Sequence, residues 1–259
     1  MSTLNNIFDA HAHYDDSWFD NDRDELLAQL PSKGVCGVVC NAVDLKTAKS
    51  VIELAEKYDY IYAAVGFHPE NLDDVPDDYL EQLEKLTRHE KVAAIGETGL
   101  DYHWDTPKPL QKRIFEEQIK LSLELDMPLV VHDREAHGDT FDLLRKYRPK
   151  ALVHCFSGSV ELMREAVRLG CYISLGGVVT FKNARHSIDV AREIPIDRLL
   201  LETDAPYMAP VPFRGKRNDS SMIIYAAEKI AALRKISSIQ NLLDITADNC
   251  REFYGLNKL

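Results

Sequence analysis

Short apolar stretches recur along the chain, and segments with helical periodicity separate them. The strand-like stretches, rich in Val, Ile and Ala, are Ile7–His13, Val35–Ala42, Ile61–His68, Val92–Thr98, Leu129–Asp133, Ala151–Phe156, Tyr172–Gly177 and Leu199–Asp204. Strands that alternate with helices form parallel sheets, and eight repeats of this unit suggest a sheet closed into a barrel. We therefore predict that residues 1–259 form one α/β domain, a single (β/α)8 TIM barrel.

The segments between these strands are long enough for helices that cover the outside of a barrel. The predicted helices are Arg23–Lys33, Lys46–Tyr58, Asp78–His89, Leu110–Asp126, Thr140–Arg148, Val160–Leu169, Ala184–Glu193, Ser221–Arg234 and Ser238–Tyr254. Runs that are apolar on both faces, such as residues 35–40, fit strands covered on both sides. The alternative is a doubly wound open sheet, but no GxGxxG or P-loop sequence opens any of the helices.

Composition and charge limit the possible classes of protein. The chain is 45% hydrophobic, which supplies a substantial core, and it lacks a run of 18 apolar residues, so we predict no membrane span. The N-terminus has no basic segment followed by an apolar one, so we predict no secretory signal and a cytoplasmic protein. The five cysteines include no CxxC pair, so we predict that they are reduced thiols. The net charge of −11 argues against wrapping of long nucleic acids but not against an enzyme that holds a few nucleotides.

Histidines and acids stand where the predicted strands end. These candidate site residues are His11, His13, His68, Glu97, His132, His154 and Asp204. Active sites of this fold form at the carboxyl ends of the strands, where side chains from distant segments meet. Most of the residues follow an apolar run, and a buried polar group without a partner is unfavourable. A metal ion or a substrate would provide that partner.

His11 and His13 are two positions apart, so both imidazoles can reach one cation from the same face of a strand, with Asp9 deeper on that face. Two histidines satisfied by hydrogen bonds are the alternative. Glu97 carries two carboxylate oxygens and can bridge two cations, unless it only forms a salt bridge at the strand end.

His132 and His154 end successive strands at equivalent positions, which makes two unrelated core histidines a poor explanation. Asp204 ends the last strand, and Glu202 on the same face could orient a ligating histidine. We interpret Cys155 as a packing residue. Mixed imidazole and carboxylate ligands suit two divalent cations such as Zn, Mn or Mg better than Ca, and such a pair can activate a shared water for hydrolysis.

Motifs across nearly the whole chain resemble those of the TatD family of metal-dependent deoxyribonucleases, which are amidohydrolase-like barrels. The matching stretches are Phe8–His13, Gly66–Pro69, Gly96–Tyr102, Pro128–Ala136, His154–Gly158, Leu201–Tyr207 and Arg214–Asn218. The family pattern continues Glu-Pro after the last stretch, whereas this chain has Asp219 and Ser220. That departure could alter the start of the following helix, so we leave Asp219 out of the core site.

The resemblance implies the roles of the site residues. It implies one metal held by His11, His13, Glu97 and Asp204, and a second held by Glu97, His132 and His154. It places His68 near the substrate phosphate and makes Glu97, Asp204 and His68 the catalytic group.

Basic residues near the predicted strand ends are candidates for phosphate binding. They are Arg134 and the loop residues Arg214, Lys216 and Arg217, although a solvated charged loop is the alternative. Phe67, Tyr102, Trp104 and Tyr207 also follow strand ends and could stack on bases. For any single one of them, packing is the simpler role.

Three hypotheses for function remain. The resemblance and the basic loop favour an ester-bond hydrolase of DNA, an exonuclease on short single strands or frayed ends, with no obligate protein partner. An amide, lactone or aminoacyl-ester hydrolase could use the same centre, because a fold does not fix its substrate. However, Glu97 stands where many two-metal amidohydrolases carry a carboxylated lysine. A scaffold without activity is the third hypothesis, and the complete ligand set argues against it.

Overall fold

Parallel strands form one sheet that curls into a barrel. The structure is a computed structural model that describes residues 4–256. Within that range the strands are β1 Ile7–Ala12, β2 Val35–Asn41, β3 Ile61–Val65, β4 Val92–Asp101, β5 Leu129–Arg134, β6 Ala151–Val153, β7 Tyr172–Leu175 and β8 Leu199–Leu201. They pair in chain order from β1 to β8, and a bridge between Ala12 and Ala205 brings the two ends of the sheet together. The predicted (β/α)8 barrel is confirmed, although residues 1–3 and 257–259 of the predicted domain lie outside the described residues.

Helices alternate with the strands. Their bounds are α1 Arg23–Gln29, α2 Leu45–Lys57, α3 Tyr79–Thr87, α4 Lys108–Glu124, α5 His137–Tyr147, α6 Val160–Arg168, α7 Arg185–Glu193, α8 Ile223–Arg234 and α9 Ile239–Tyr254. The first helix is shorter than predicted, because the chain tightens into a 3-10 turn over Leu30–Lys33 that contains Pro31. Proline has no backbone N–H to continue the α-helical ladder. In residues 4–256 we find no helix with the length and apolar character of a membrane span.

Local sequence explains where several helices begin. Asp44 accepts a hydrogen bond from the Thr47 backbone N–H, and the Thr47 hydroxyl lies 2.9 Å from the Asp44 nitrogen, which forms a capping box at the start of α2. Ser159 and Ser238 cap α6 and α9 with their side-chain oxygens. Such caps satisfy backbone donors that the first turn of a helix leaves unpaired.

Three strands end three residues earlier than predicted, and this changes where polar residues lie. β3, β6 and β8 end at Val65, Val153 and Leu201, so His68, His154 and Asp204 lie in the loops just beyond them. Asp204 has a positive φ of 57°, a left-handed conformation that a strand cannot contain. The strands therefore bring the chain to the mouth of the barrel, and residues of the loops that follow them complete the site.

Two glutamines of α4 fix the loops after β3 and β4. The Gln118 amide accepts from the Phe67 N–H at 2.8 Å, and its nitrogen donates to the Phe67 carbonyl and to the Thr98 hydroxyl. The Gln111 amide binds the backbone N–H and C=O of Asp101 in the same way. Both glutamines are buried, so each substitutes for a backbone partner that the loops lack.

The substitution Gln118→Ala is expected to lower the free energy of unfolding by about 2 to 4 kcal/mol, because it leaves buried polar groups of Phe67 and Thr98 without partners. Urea denaturation measures the change. Gln29→Ala is the matched control, since Gln29 is exposed on α1 and should change stability by less than about 0.5 kcal/mol. Equal losses in the two variants would contradict this account of Gln118.

Candidate metal centre

Four ligand atoms form a first cluster at the mouth of the barrel. The Nε2 atoms of His11 and His13 lie 3.0 Å apart. Glu97 Oε2 lies 3.2 and 3.3 Å from them, and Asp204 Oδ1 lies 3.6 and 3.5 Å from them. Ligands bonded at about 2.0–2.2 Å in a tetrahedron are about 3.3–3.6 Å from one another. The cluster, which we call cluster one, therefore has the dimensions of a divalent-cation site.

A second cluster lies on the other side of Glu97. The Oε1 atom of Glu97 is 2.8 Å from His132 Nδ1 and 2.7 Å from His154 Nε2, and these two nitrogens are 3.2 Å apart. We call this group cluster two. Because each oxygen of Glu97 faces a different cluster, the carboxylate is placed to bridge two cations. The structure thus brings together all the residues that the sequence indicated as ligands.

An irregularity in β4 positions Glu97. Ile95 pairs with Leu129 and Thr98 with Val131, so three residues along β4 match two along β5. Gly96 lies within this bulge and Gly99 follows it, each at a positive φ of 147°. A Cβ atom on Gly96 would lie 2.7 Å from the Val130 side chain, and one on Gly99 would lie 2.0 Å from the His132 carbonyl oxygen. Glycine is therefore required on both sides of Glu97, and the bulge directs its carboxylate to the site.

Hydrogen bonds on the outer nitrogens orient two imidazoles. His13 Nδ1 lies 2.9 Å from the Asn41 carbonyl oxygen, which leaves Nε2 for cluster one. His132 Nε2 lies 2.9 Å from Asp101 Oδ2, which leaves Nδ1 for cluster two. Such partners fix the tautomer of a metal-binding histidine. The sequence motif contained Asp101, but only the fold reveals that it positions His132.

His11 and His154 stack at a ring distance of 3.9 Å, and among residues 4–256 neither Nδ1 atom has a hydrogen-bond partner. Their Nε2 atoms face the two clusters. Glu202 Oε2 is 3.8 Å from His154 Nδ1, too far for a direct hydrogen bond, and its other oxygen accepts from the Cys155 backbone N–H. With cations bound at Nε2, each neutral ring would carry its proton on Nδ1, which has no acceptor among the described residues.

Charge in the site is balanced among buried groups. Burial by itself would raise the pKa of Glu97, but the neighbouring imidazoles of His154 and His11 hold that pKa well below its usual range. Burial lowers the pKa of His11 to about 3. Burial also opposes protonation of His132, yet its bonds to Asp101 and Glu97 raise its pKa to about 10. Divalent cations would replace protons here, because ligating imidazoles and carboxylates must be deprotonated.

His68 faces the site in a different way. Its Nδ1 accepts a hydrogen bond from the Glu70 backbone N–H at 3.2 Å, so a neutral ring carries its proton on Nε2. That Nε2 atom lies 3.4 Å from Glu97 Oε1. Burial lowers the pKa of His68, which favours the neutral ring. His68 therefore presents a hydrogen-bond donor to the site, although its ring also lies close enough to Glu97 and His132 to join a metal-binding group. Its predicted place near the substrate phosphate stays a prediction.

Asp9 joins the first strand to the loop after the last one. Its oxygens accept from the Thr203 backbone N–H at 2.9 Å and from the Ser220 hydroxyl at 2.6 Å. Ser220 in turn binds the Tyr14 hydroxyl, and Asp219 caps the short turn that follows. Local residue patterns do not indicate this network, because its members are far apart in the chain. Asp219 and Ser220 thus support the site from behind.

The basic residues near the mouth differ in what they contact. Arg134 Nη1 lies 4.0 Å from Asp101 Oδ2. Arg214 stacks on Phe181 at 4.5 Å, and Lys216 is exposed. Arg217 instead donates two hydrogen bonds to the carboxylate of Asp22. Its predicted contact with phosphate stays a prediction, but its guanidinium already has an anionic partner.

The aromatic residues after the strands also divide into two groups. Phe67 is buried and packs edge-on against Tyr79, and Tyr102 donates its hydroxyl proton to Asp139. Trp104 and Tyr207 are exposed. Packing thus accounts for the first pair but not for the second.

The barrel with these two clusters defines a metal-dependent hydrolase, and comparison with known proteins agrees. Residues 8–255 match the family described as TatD related DNase. The uncharacterized metal-dependent hydrolase YabD of Bacillus subtilis is 42% identical over 97% of this chain and 100% of its own length. The crystal structure of YjjV, a TatD homolog from Escherichia coli, superposes with a TM-score of 0.90 at 31% identity and covers 97% of this chain and 99% of that one. The chain belongs to the TatD family.

A divalent cation should stabilise the folded protein, because only the folded chain brings the ligands together. Adding Zn²⁺ or Mn²⁺ to chelator-treated protein at about 100 times its Kd should contribute about 2.7 kcal/mol and raise Tm by about 5–10 °C. His132→Ala should reduce this shift in differential scanning fluorimetry. His89→Ala is the control, since His89 pairs with Glu56 outside both clusters. An unchanged shift in the His132→Ala protein would show that cluster two does not bind the cation.

Proposed function

We propose that this protein hydrolyses phosphodiester bonds of DNA, as an exonuclease on short single strands or frayed ends, with two divalent cations. The observation that carries the proposal is the division of the Glu97 oxygens between two clusters of imidazoles. A pair of cations can stabilise both the attacking and the leaving oxygen of a displacement at phosphorus. The match to a family described as DNase supports the same substrate.

The residues of the site would have distinct roles in this reaction. Cluster one would hold one cation and cluster two the other, with Glu97 shared. Bound cations would supply Lewis acidity, which activates water and offsets phosphate charge. Asp204 has a second carboxylate oxygen to accept a proton from the attacking water. His68 would donate its Nε2–H to a phosphate oxygen, because Glu70 fixes the proton on that nitrogen.

The substrate would reach the site past basic side chains. Arg134, Arg214 and Lys216 lie in or beside loops at the mouth and would contact phosphates next to the scissile bond. These local charges matter because the chain as a whole has a net charge of −11. We also propose that the enzyme acts in the cytoplasm without an obligate protein partner. All five cysteines, which lie within the described range, are free thiols, as a reducing compartment requires.

Glu97→Gln is expected to reduce kcat on 5′-labelled single-stranded DNA by about 10³-fold or more, because the amide removes the negative charge between the two clusters. EDTA should abolish the activity, and Zn²⁺ or Mn²⁺ should restore it. Glu53→Gln is the matched control, since Glu53 is exposed on α2, and its activity should equal that of the unmodified enzyme. Circular single-stranded DNA distinguishes exonuclease from endonuclease action, because an exonuclease needs a strand end and should leave the circle intact.

Full activity of the Glu97→Gln protein would refute this mechanism. The metal-loaded protein can instead be tested on an amide, a lactone and an aminoacyl-tRNA. Hydrolysis of one of these, with no hydrolysis of DNA, would show that the same metal centre acts on that class of substrate.

A further inference from the structure

Exposed hydrophobic side chains are concentrated around the mouth of the barrel. Among residues 4–256, the large hydrophobic side chains that are exposed include five in the loops after β1, β4 and β8, and two on helices. Those in the loops are Trp18, Trp104, Tyr207, Met208 and Val211, and those on helices are Leu123 and Ile245. Exposed apolar groups that gather in one place commonly mark a binding surface.

Both tryptophans of the chain belong to this set. Trp18 is 52% exposed and Trp104 is 51% exposed, although tryptophan is usually among the more buried side chains. The metal chemistry proposed above uses neither of them.

Trp18 and Tyr207 form one aromatic pair, which we call platform A, with ring centres 6.1 Å apart. Asp16 holds both residues: it accepts from the Trp18 backbone N–H at 2.7 Å and from the Tyr207 hydroxyl at 2.6 Å. Arg217 donates to the Trp18 carbonyl at 2.8 Å. The Tyr207 N–H donates to the carbonyl of Asp204, so this platform is attached directly to a ligand of cluster one. Hydrogen bonds therefore hold the Trp18 backbone and the Tyr207 hydroxyl, while 52% of Trp18 and 44% of Tyr207 remain exposed.

Trp104 and Arg134 form a second pair, platform B, with the guanidinium carbon 5.8 Å from the indole centre. Contacts lead from this pair to cluster two. Arg134 Nη1 lies 4.0 Å from Asp101 Oδ2, and that same oxygen is 2.9 Å from His132 Nε2. An indole next to a guanidinium offers a flat surface for a base and a positive charge for the neighbouring phosphate.

The two platforms lie on opposite sides of the mouth. Platform A is built from the loops after β1 and β8, whereas platform B is built from the loop after β4 and the end of β5. In a barrel whose strands run in order from β1 to β8, the β8–β1 junction is diametrically opposite the β4–β5 junction. The candidate metal centre lies between them, because cluster one adjoins platform A and cluster two adjoins platform B.

We infer that platforms A and B bind unpaired nucleobases by stacking, one on each side of the phosphodiester that is cleaved at the metal centre. This inference rests on the proposed function and specifies its substrate as single-stranded or frayed DNA, since paired bases do not expose their faces. Bases of any identity have such faces, so recognition by the platforms would be independent of sequence. Arg134 supplies the charge complementarity that an apolar partner protein would not need.

Because the chain has only two tryptophans, its indole fluorescence reports on the platforms alone. The variants Trp18→Phe and Trp104→Phe each leave one reporter. Titration of each metal-loaded variant with a phosphorothioate-linked (dT)8, which resists hydrolysis, should quench the remaining indole emission. An abasic octamer with the same charge should leave the emission unchanged. If both oligomers quench equally, or neither does, stacking is refuted.

Affinity gives a second measurement. Trp18→Ala and Trp104→Ala should each raise the Kd for (dT)8 by about 5- to 150-fold, which corresponds to the loss of one stacked base. Leu123→Ala is the matched control, since it truncates a side chain of similar exposure, 44%, on α4. A Kd raised equally by all three changes would overturn the inference, as would indole emission that depends on protein concentration and indicates self-association.

Hydrolysis separates failure of this inference from failure of the proposed function. With ordinary phosphodiester linkages, the unmodified enzyme should cleave (dT)8 with a kcat/KM about 5-fold or more above that of the abasic octamer. Equal cleavage of both octamers would agree with the nuclease function but refute base stacking on the platforms. If the enzyme cleaves neither octamer, the proposed nuclease function is refuted.

Discussion

The contact between Glu97 and the imidazoles on either side of it is the interaction on which the site depends. Burial alone would raise the pKa of this carboxylate, and the histidines hold that pKa low. One oxygen faces His11 and His13, and the other faces His132 and His154. A negative charge shared between two groups of ligands would allow two cations to lie close together without strong repulsion. Other features of the mouth serve to hold this carboxylate and its partners in place.

That support comes from four features of the barrel. The bulge in β4 directs the carboxylate, and two glutamines of α4 hold the loops beside it. Asp101 orients His132 from outside the cluster. Asp9 links the loop after β8 to β1, because it accepts hydrogen bonds from the Thr203 backbone N–H and from the Ser220 hydroxyl. Rigid elements thus position ligands that themselves lie partly on loops, which is how a site keeps its geometry with short strands.

Much of the site could be predicted from the sequence because parallel strands of a barrel all end at one face. A histidine after an apolar run, as at His132, is therefore a candidate without knowledge of its neighbours. The strand ends were harder to predict, since β8 stops at Leu201 and Asp204 adopts a left-handed conformation. Apolar character continues past the last ladder hydrogen bond, so periodicity alone extends a strand too far. The ion pair of Arg217 with Asp22 was equally hard to predict, because the two residues are distant in the chain.

The amino-acid sequence by itself determined the alternation of strands and helices and the kinds of side chain that reach the mouth. Both follow from local spacing, which decides which residues can be buried and which end a strand. Only the tertiary structure decided which nitrogen of each histidine faces the clusters, how the oxygens of Glu97 are divided, and that Ser220 binds Asp9 across 211 positions of the chain. Those choices depend on hydrogen bonds between distant segments, and such bonds exist only after the barrel has closed.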